Sequence, residues 1–383
     1  MKISKRADIP PFFAMEVLRA ANERAAQGET VMHLEAGEPG SGPPRKVIEA
    51  AHRALDSAHL GYTESLGMPA LRQRIAQHYA DYYGAKIPVE RIMITTGSSG
   101  GFILSFIAAF DVGDRIALVD PSYPAYRNMC EALGIEIVRI PAGLEHRYQP
   151  TVELLEASPS RPDGLIIASP SNPTGTVIER ARLEAVMRYC EMNKIRVISD
   201  EIYHGITYGE RAETALKFSD HAIVTNGFSK YYAMTGWRLG WMVVPEGLVR
   251  PIERLAQNFF ISPPAIAQYG ALAAFDCVAE LDANVARYGR NRAMLIKALG
   301  EAGFGDLAPC DGAFYLYADV SRLTNDSEAF CKRMLSEVGI AATPGIDFDR
   351  ERGRRFVRFS FAGPSEQIQA ACGALKKWLG VSK

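Results

Sequence analysis

Residues Gly164–Asp200 read GLIIASPSNPTGTVIERARLEAVMRYCEMNKIRVISD. The run opens on a short apolar segment, GLIIAS, that predicts a strand. It passes through a turn rich in Pro, Asn and Gly. RARLEAVMRYCEMNK follows, with apolar residues near helical spacing, and IRVISD closes the run as a second strand. The same alternation continues outward in both directions. Upstream lie the strand RIMITTG (Arg91–Gly97) with the helical SGGFILSFIAAF behind it, then RIALVD (Arg115–Asp120), the helical YRNMCEALG and the strand EIVRI. Downstream come AIVTNG (Ala222–Gly227) and LGWMVVP (Leu239–Pro245). Near-continuous apolar strands alternating with helices mark a mainly parallel sheet covered on both faces. The fold class is α/β.

The C-terminal third changes rhythm. A long helical stretch from Leu281 to Gly300 precedes the strand GAFYLYADV, the helix SEAFCKRMLSEVG, the strand RFVRFSF and a closing helix, SEQIQAACGALKKWLG. That α+β order predicts a second, smaller domain over 285–383, a large domain over 41–284, and an N-terminal arm, 1–40, packing with the small one.

The bulk numbers narrow the function classes. The chain has 383 residues, 48% hydrophobic and 23% charged, with a formal net charge of −1. That balance lacks the basic footprint of a nucleic-acid or anionic-lipid binder. The apolar stretch Gly100–Phe110 is short for a bilayer span, which takes about 20 residues. MKISKRADIPPFF lacks the apolar run of a secretory signal. Six scattered cysteines without a CxxC pair fit reduced, buried thiols better than disulfides or zinc. The expectation is a cytoplasmic, soluble protein acting on a small molecule, with no metal site.

In open α/β sheets ligands bind beyond the carboxyl ends of the strands, so the residues there carry the chemistry. Ser98, Ser99, Gly100 and Gly101 follow the first strand and open a helix, which suits an anion and equally an ordinary cap. Asn172 sits in PSNPTG, which is also plain turn chemistry. Asp200 ends IRVISD, where it could simply cap a helix. Lys230 follows AIVTNG among Phe228, Tyr231 and Tyr232; an apolar, aromatic setting lowers an amine's pKa, as imine formation requires. Taken singly each has an ordinary explanation. They nevertheless fall in one order at the ends of one sheet.

That ordered set resembles the class I/II aminotransferases, the fold type I family of pyridoxal-phosphate enzymes. The likeness covers nearly the whole chain, from HLEAGEPG (His33–Gly40) to VRFSFAG (Val357–Gly363). Its most specific piece is SKYYAMTGWRLGW (Ser229–Trp241), with NPTG, DEIY and VRFSF beside it. The resemblance implies a seven-stranded type of sheet, pyridoxal 5′-phosphate as cofactor, and a ping-pong exchange between an amino acid and a 2-oxo acid. It implies that Lys230 is the Schiff-base lysine and moves the Cα proton. Asp200 would pair with the pyridine nitrogen, Tyr203 and Asn172 would donate to the phenolic oxygen, and Tyr123 would cover the ring face. The phosphate would take Ser98, Ser99, Gly100, Ser229 and Arg238, plus Tyr62 from a partner subunit, which implies a homodimer with shared sites. Arg358 would clamp the substrate carboxylate, assisted by the Gly37 N–H and Asn172; Arg354 and Arg355 are the neighbouring arginines to set aside.

Two departures stand out. Gly227 occupies the position where many members carry a serine three before the lysine, and the turn PGIDFD (Pro344–Asp349) differs from the usual PGxxFG. His204 is expected to be structural, and Tyr126 and Tyr315 to be wall or core residues. Phe12, Phe13 and Met15 suit a lid over the substrate side chain and equally suit simple packing. An apolar or small substrate is hinted at, with glutamate or alanine as amino donor and a dicarboxylic substrate still open. A C–S β-lyase would use the same residues. A non-enzymatic, cofactor-sensing regulator is the third reading, opposed by the short segment ahead of Gly37 and the neutral charge.

Overall fold

A computed structural model describes residues 1–380. After the two-residue strand β1 (Met32–His33), seven strands make the main sheet: β2 (Ile92–Thr95), β3 (Arg115–Asp120), β4 (Glu136–Pro141), β5 (Gly164–Ala168), β6 (Arg196–Asp200), β7 (Ile223–Gly227) and β8 (Gly240–Val243). Their order is β2-β8-β7-β6-β5-β3-β4. All neighbours run parallel except β8, which is antiparallel to both β2 and β7. The strands read as continuous apolar runs because both faces are buried. Successive side chains alternate between two cores, as the pleat demands. Leu165, Ile167 and Val197 face one core, filled by the helices Pro69–Tyr83, Arg180–Met192 and Ala265–Ala274. Ile166, Ile198 and Met242 face the other, filled by the helices Gly97–Ala109 and Glu246–Phe259.

Beyond the helix Val278–Glu301 come β9 (Tyr315–Asp319), β10 (Ile340–Ala341), β11 (Thr343–Pro344) and β12 (Phe356–Ser360). β11, β12 and β9 form an antiparallel sheet in that order. β10 pairs in parallel with β1, tying the N-terminal segment to this part of the chain. Met32 and Leu34 are buried in the same core as Leu295, Phe330, Phe359 and Leu375. The helix Val278–Glu301 runs unbroken through residue 285, and its packing changes partners along its length. Leu281 belongs to the main-sheet core, whereas Tyr288 and Leu295 belong to the C-terminal one.

All six cysteines are buried and unpaired. Among the described residues no helix is long and apolar enough to cross a membrane.

One close approach fixes how the first strand delivers its helix. A Cβ on Gly240 would lie 2.8 Å from the carbonyl carbon of Gly97 and the nitrogen of Ser98, so only glycine lets β8 pass there. Gly240→Ala is expected to cost roughly 1–3 kcal/mol through overpacking, read as a lower urea midpoint. Gly247→Ala, with open space around it, should hold or raise that midpoint.

Candidate active site

A cavity of about 310 Å³ opens at the carboxyl ends of the strands, between the main sheet and the C-terminal sheet. Each strand delivers its own residues to it: Ser98 and Ser99 after β2, Tyr123 and Tyr126 after β3, Asn172 after β5, Asp200 and Tyr203 at and beyond the end of β6. Ser229 and Lys230 follow β7, and Arg238 precedes β8. Tyr315 and Arg358 close it from the C-terminal sheet, and Gly37 from the segment after β1. Twelve sequence-predicted positions thus share one cavity or, for Gly100, the helix turn beside it.

The Lys230 ammonium is buried and donates to the Gly37 carbonyl. Burial lowers its pKa from the ordinary lysine range to about 8. Across the cavity, Asp200 accepts from the Ile202 N–H at 3.0 Å and from the Tyr126 hydroxyl. Burial raises Asp200 to about 6, partly opposed by those hydrogen bonds. The Tyr203 and Tyr315 hydroxyls pair at 2.8 Å. Gly37 packs against the latter, since a Cβ there would lie 2.5 Å from the Tyr315 hydroxyl.

At the other end of the cavity the helix Gly97–Ala109 begins with no side-chain cap, because Thr96 makes none. Its first-turn N–H groups are therefore left to a ligand. Gly97, at φ +68°, lets Arg238 lie close: a Cβ would sit 2.6 Å from Nη2. Arg238 itself is held in the left-handed region, φ +51°, with Nη1 donating to the Thr235 carbonyl at 2.9 Å. Helix N–H groups, three serine hydroxyls and one guanidinium make a cradle suited to a phosphate.

Arg358 is 1% exposed in the middle of β12. Nη1 donates to Asn172 Oδ1 at 3.0 Å, and Nη2 to the Glu35 carbonyl at 2.6 Å and Thr343 Oγ1 at 3.0 Å. Its Nε is buried without a partner. A buried guanidinium with an unused donor is poised for an anion, because the unpaired N–H is costly until something accepts from it. Arg354 and Arg355 lie in the turn before β12, and Arg355 pairs with Asp319.

One predicted position stands apart from this picture: Tyr62 is 81% exposed and outside the cavity of its own chain. Gly37 lines the cavity, with its carbonyl accepting from Lys230. His204 is buried between Tyr83 and the Ser169 carbonyl, and burial lowers its pKa to about 3, so it stays neutral. Among the described residues no His/Cys/Asp/Glu cluster could hold a metal.

Three contributors carry contacts that the sequence reading does not assign: Tyr126 and Tyr315 are expected only as wall or core residues, and Thr343 is not singled out. Tyr126 holds Asp200; its signal was its place one helical turn beyond Tyr123. Tyr315 and Thr343 had no local signal, because they reach the site through strand register, Thr343 opposite Arg358 and Tyr315 opposite Ser360.

The model of the aminotransferase class I and II family matches residues 29–375. The chain belongs to that family. It is a pyridoxal-phosphate-dependent transaminase, acting between an amino acid and a 2-oxo acid. It is 48% identical to a valine–pyruvate aminotransferase of Mycobacterium tuberculosis, over 99% of this chain and 98% of that one. It is 34% identical to a (5-formylfuran-3-yl)methyl phosphate transaminase of Methanocaldococcus jannaschii, over 98% and 99%. Among solved structures, an aminotransferase from M. tuberculosis superimposes with a TM-score of 0.97 at 47% identity, covering 100% of both chains. Aspartate aminotransferase from Thermus thermophilus with maleate gives 0.93 at 29%, covering 98% and 99%. The residues present fit pyridoxal phosphate: a buried amine, a buried carboxylate and an anion cradle line one cavity.

The lowered pKa of Lys230 is directly measurable. The neutral amine is the nucleophile, so capture of added pyridoxal phosphate by cofactor-free protein should speed up with pH. The midpoint is expected near the site's value of about 8. A midpoint in the ordinary lysine range, about 10.4, would show that the site does not activate the amine.

Proposed function

We propose that this transaminase takes an amino donor with an apolar side chain, valine or alanine, and passes the amino group to a small 2-oxo acid such as pyruvate. One observation carries the reading. Among the described residues lining the cavity the basic side chains are Lys230, Arg238 and Arg358, and the outer wall is Phe12, Ala14, Met15 and Leu18. With Lys230 at the reacting end, Arg238 at the phosphate cradle and Arg358 on the α-carboxylate, no guanidinium among the described lining residues is left for a second carboxylate. Of the two donors the sequence favoured, alanine fits this wall better than glutamate. The likeness to a valine–pyruvate aminotransferase supports the same choice.

The family resemblance implies the roles, and the shared cavity supports them. Lys230 would hold the cofactor, yield to the substrate amine, and then move the proton at the substrate Cα. Its lowered pKa leaves enough neutral amine near pH 7 for that task. When bound, the cofactor's protonated ring draws electrons from the substrate Cα. Asp200, fixed by Tyr126 and the Ile202 N–H, would keep the ring nitrogen protonated. Tyr203 and Asn172 would donate to the phenolic oxygen and Tyr123 would cover the ring face. Ser98, Ser99, Gly100, Ser229 and Arg238 would hold the phosphate. Arg358 would orient the α-carboxylate, its free Nε completing the pairing. Donor and acceptor use the same place in turn, which gives ping-pong kinetics.

The same reading extends to assembly. The exposed Tyr62 suits a phosphate contact in a partner's site, and hence a homodimer. We read 41–284 and 285–383 as two domains with 1–40 as an arm, supported by the burial of Met32 and Leu34 in the C-terminal core. Unpaired buried cysteines suit the reducing cytoplasm.

The test is a panel of amino donors against the cofactor-loaded enzyme, following release of the matching 2-oxo acid. Valine and alanine should exceed aspartate and glutamate in kcat/KM by at least about tenfold. The reverse order would overturn the substrate reading. Pyruvate and ammonia released from β-substituted donors, without an acceptor, would instead indicate elimination. Separately, Arg358→Ala is expected to lose roughly 2–5 kcal/mol in kcat/KM, and Arg358→Lys to recover only part, since lysine lacks the fork.

A further inference from the structure

The arm helix Phe13–Ala26 supplies most of the apolar wall, yet its own sequence gives it no N-cap. Phe12 occupies that position and makes no side-chain cap bond. The missing acceptors come from 334 and 333 residues away. Asp347 Oδ1 accepts from the Phe13 N–H at 3.3 Å and Oδ2 from the Ala14 N–H at 3.2 Å. We propose that Asp347 is a specificity-positioning residue, a remote cap that docks the arm helix so that Phe12, Ala14 and Leu18 stand where a branched substrate side chain meets them.

Four observations converge on this. Asp347 is 2% exposed, so its carboxylate serves an internal contact. A carboxylate at a helix N-terminus satisfies free N–H groups and complements the helix dipole together. Its own backbone is anchored to the main-sheet side, because Arg127 Nη2 donates to the Asp347 carbonyl at 3.2 Å. On the helix side, the Phe12 ring meets the Tyr123 ring edge-on with centroids 5.7 Å apart, linking the docked helix to the site.

Asp347 also stands at the end of a short lever. Thr343, four residues earlier, accepts from Arg358. One segment, Thr343–Asp347, therefore holds both the group assigned to the α-carboxylate and the helix assigned to the side chain. It fixes their separation, which is what measures a side chain's size. This segment overlaps the turn PGIDFD (Pro344–Asp349), the place where the sequence departs from the family pattern.

The inference rests on the apolar-donor reading, and the experiment separates the two. Asp347→Asn keeps the shape and one acceptor but turns an amide N–H₂ toward an N–H donor. Phe13→Pro removes one of the capped N–H groups at the first helical position, where proline is tolerated. The readout is kcat/KM for valine divided by that for alanine, whose single methyl group makes little use of the wall. Asp347→Asn is expected to lower this ratio about tenfold, the size of a lost cap, chiefly through KM for valine. The double variant should lower it by less than the sum of the two singles, since both changes break one contact. An unchanged ratio, or an equal loss for both donors at an unaltered thermal midpoint, overturns the latch and leaves the transaminase reading intact. Failure of both donors in the unaltered enzyme would instead sink the apolar-donor reading.

Discussion

The buried guanidinium of Arg358 is the contact on which the rest of the site depends. It joins β12 to the turn after β5 through Asn172, to the segment after β1 through the Glu35 carbonyl, and to β11 through Thr343. Tyr315 and Phe348 lie against its face at 4.4 and 4.8 Å. Burying a charge this deeply is expensive, and with Nη2 doubly engaged, Nη1 singly and Nε left free the pairing is incomplete. In the proposed reading an anionic substrate group would finish it. The same side chain thereby closes the cavity between two sheets and reserves a place for what binds there.

A similar economy governs the ionisable groups. Lys230 and Asp200 are both buried, and burial moves each toward its neutral form, the amine down and the acid up. In the proposed roles, Asp200 would hold the proton of a ring nitrogen beside it, and the lowered pKa of Lys230 would supply the neutral amine that attacks a carbonyl carbon. Tyr126, through its bond to Asp200, keeps the carboxylate oriented meanwhile. Desolvation that would be a liability elsewhere is here the source of reactivity.

The division of labour between the sheets follows from this. The parallel sheet presents strand ends, loops and one uncapped helix, which suits a cofactor with a phosphate at one end. The antiparallel sheet brings Arg358, Tyr315 and Thr343, which in the proposed reading would serve the substrate. The arm is caught between them, paired through β1 to β10 and capped by Asp347, so the proposed side-chain recognition would draw on both ends of the chain.

Much was legible in the sequence because the signals are local. Apolar runs such as GLIIA and RVISD must be strands buried on both faces, and their polar successors must gather at one edge, so Ser98, Asn172, Asp200 and Lys230 could be placed together from order, with Tyr203 added by the family resemblance. The eight-residue interval from Lys230 to Arg238 spans one turn between β7 and β8 and needs no distant partner. What the tertiary structure alone decided involves contacts between residues far apart in the chain. Tyr126 reaches Asp200 across 74 residues, Arg358 reaches Asn172 across 186, and Asp347 reaches Phe13 across 334. Nothing in a local pattern encodes such partners, since they follow from how strand register and the two packed cores set the elements in space. Whether Phe12 packs or walls a pocket was undecidable in one dimension for that reason; in three dimensions it lines the cavity, at the start of a helix that a carboxylate near the other end of the chain catches.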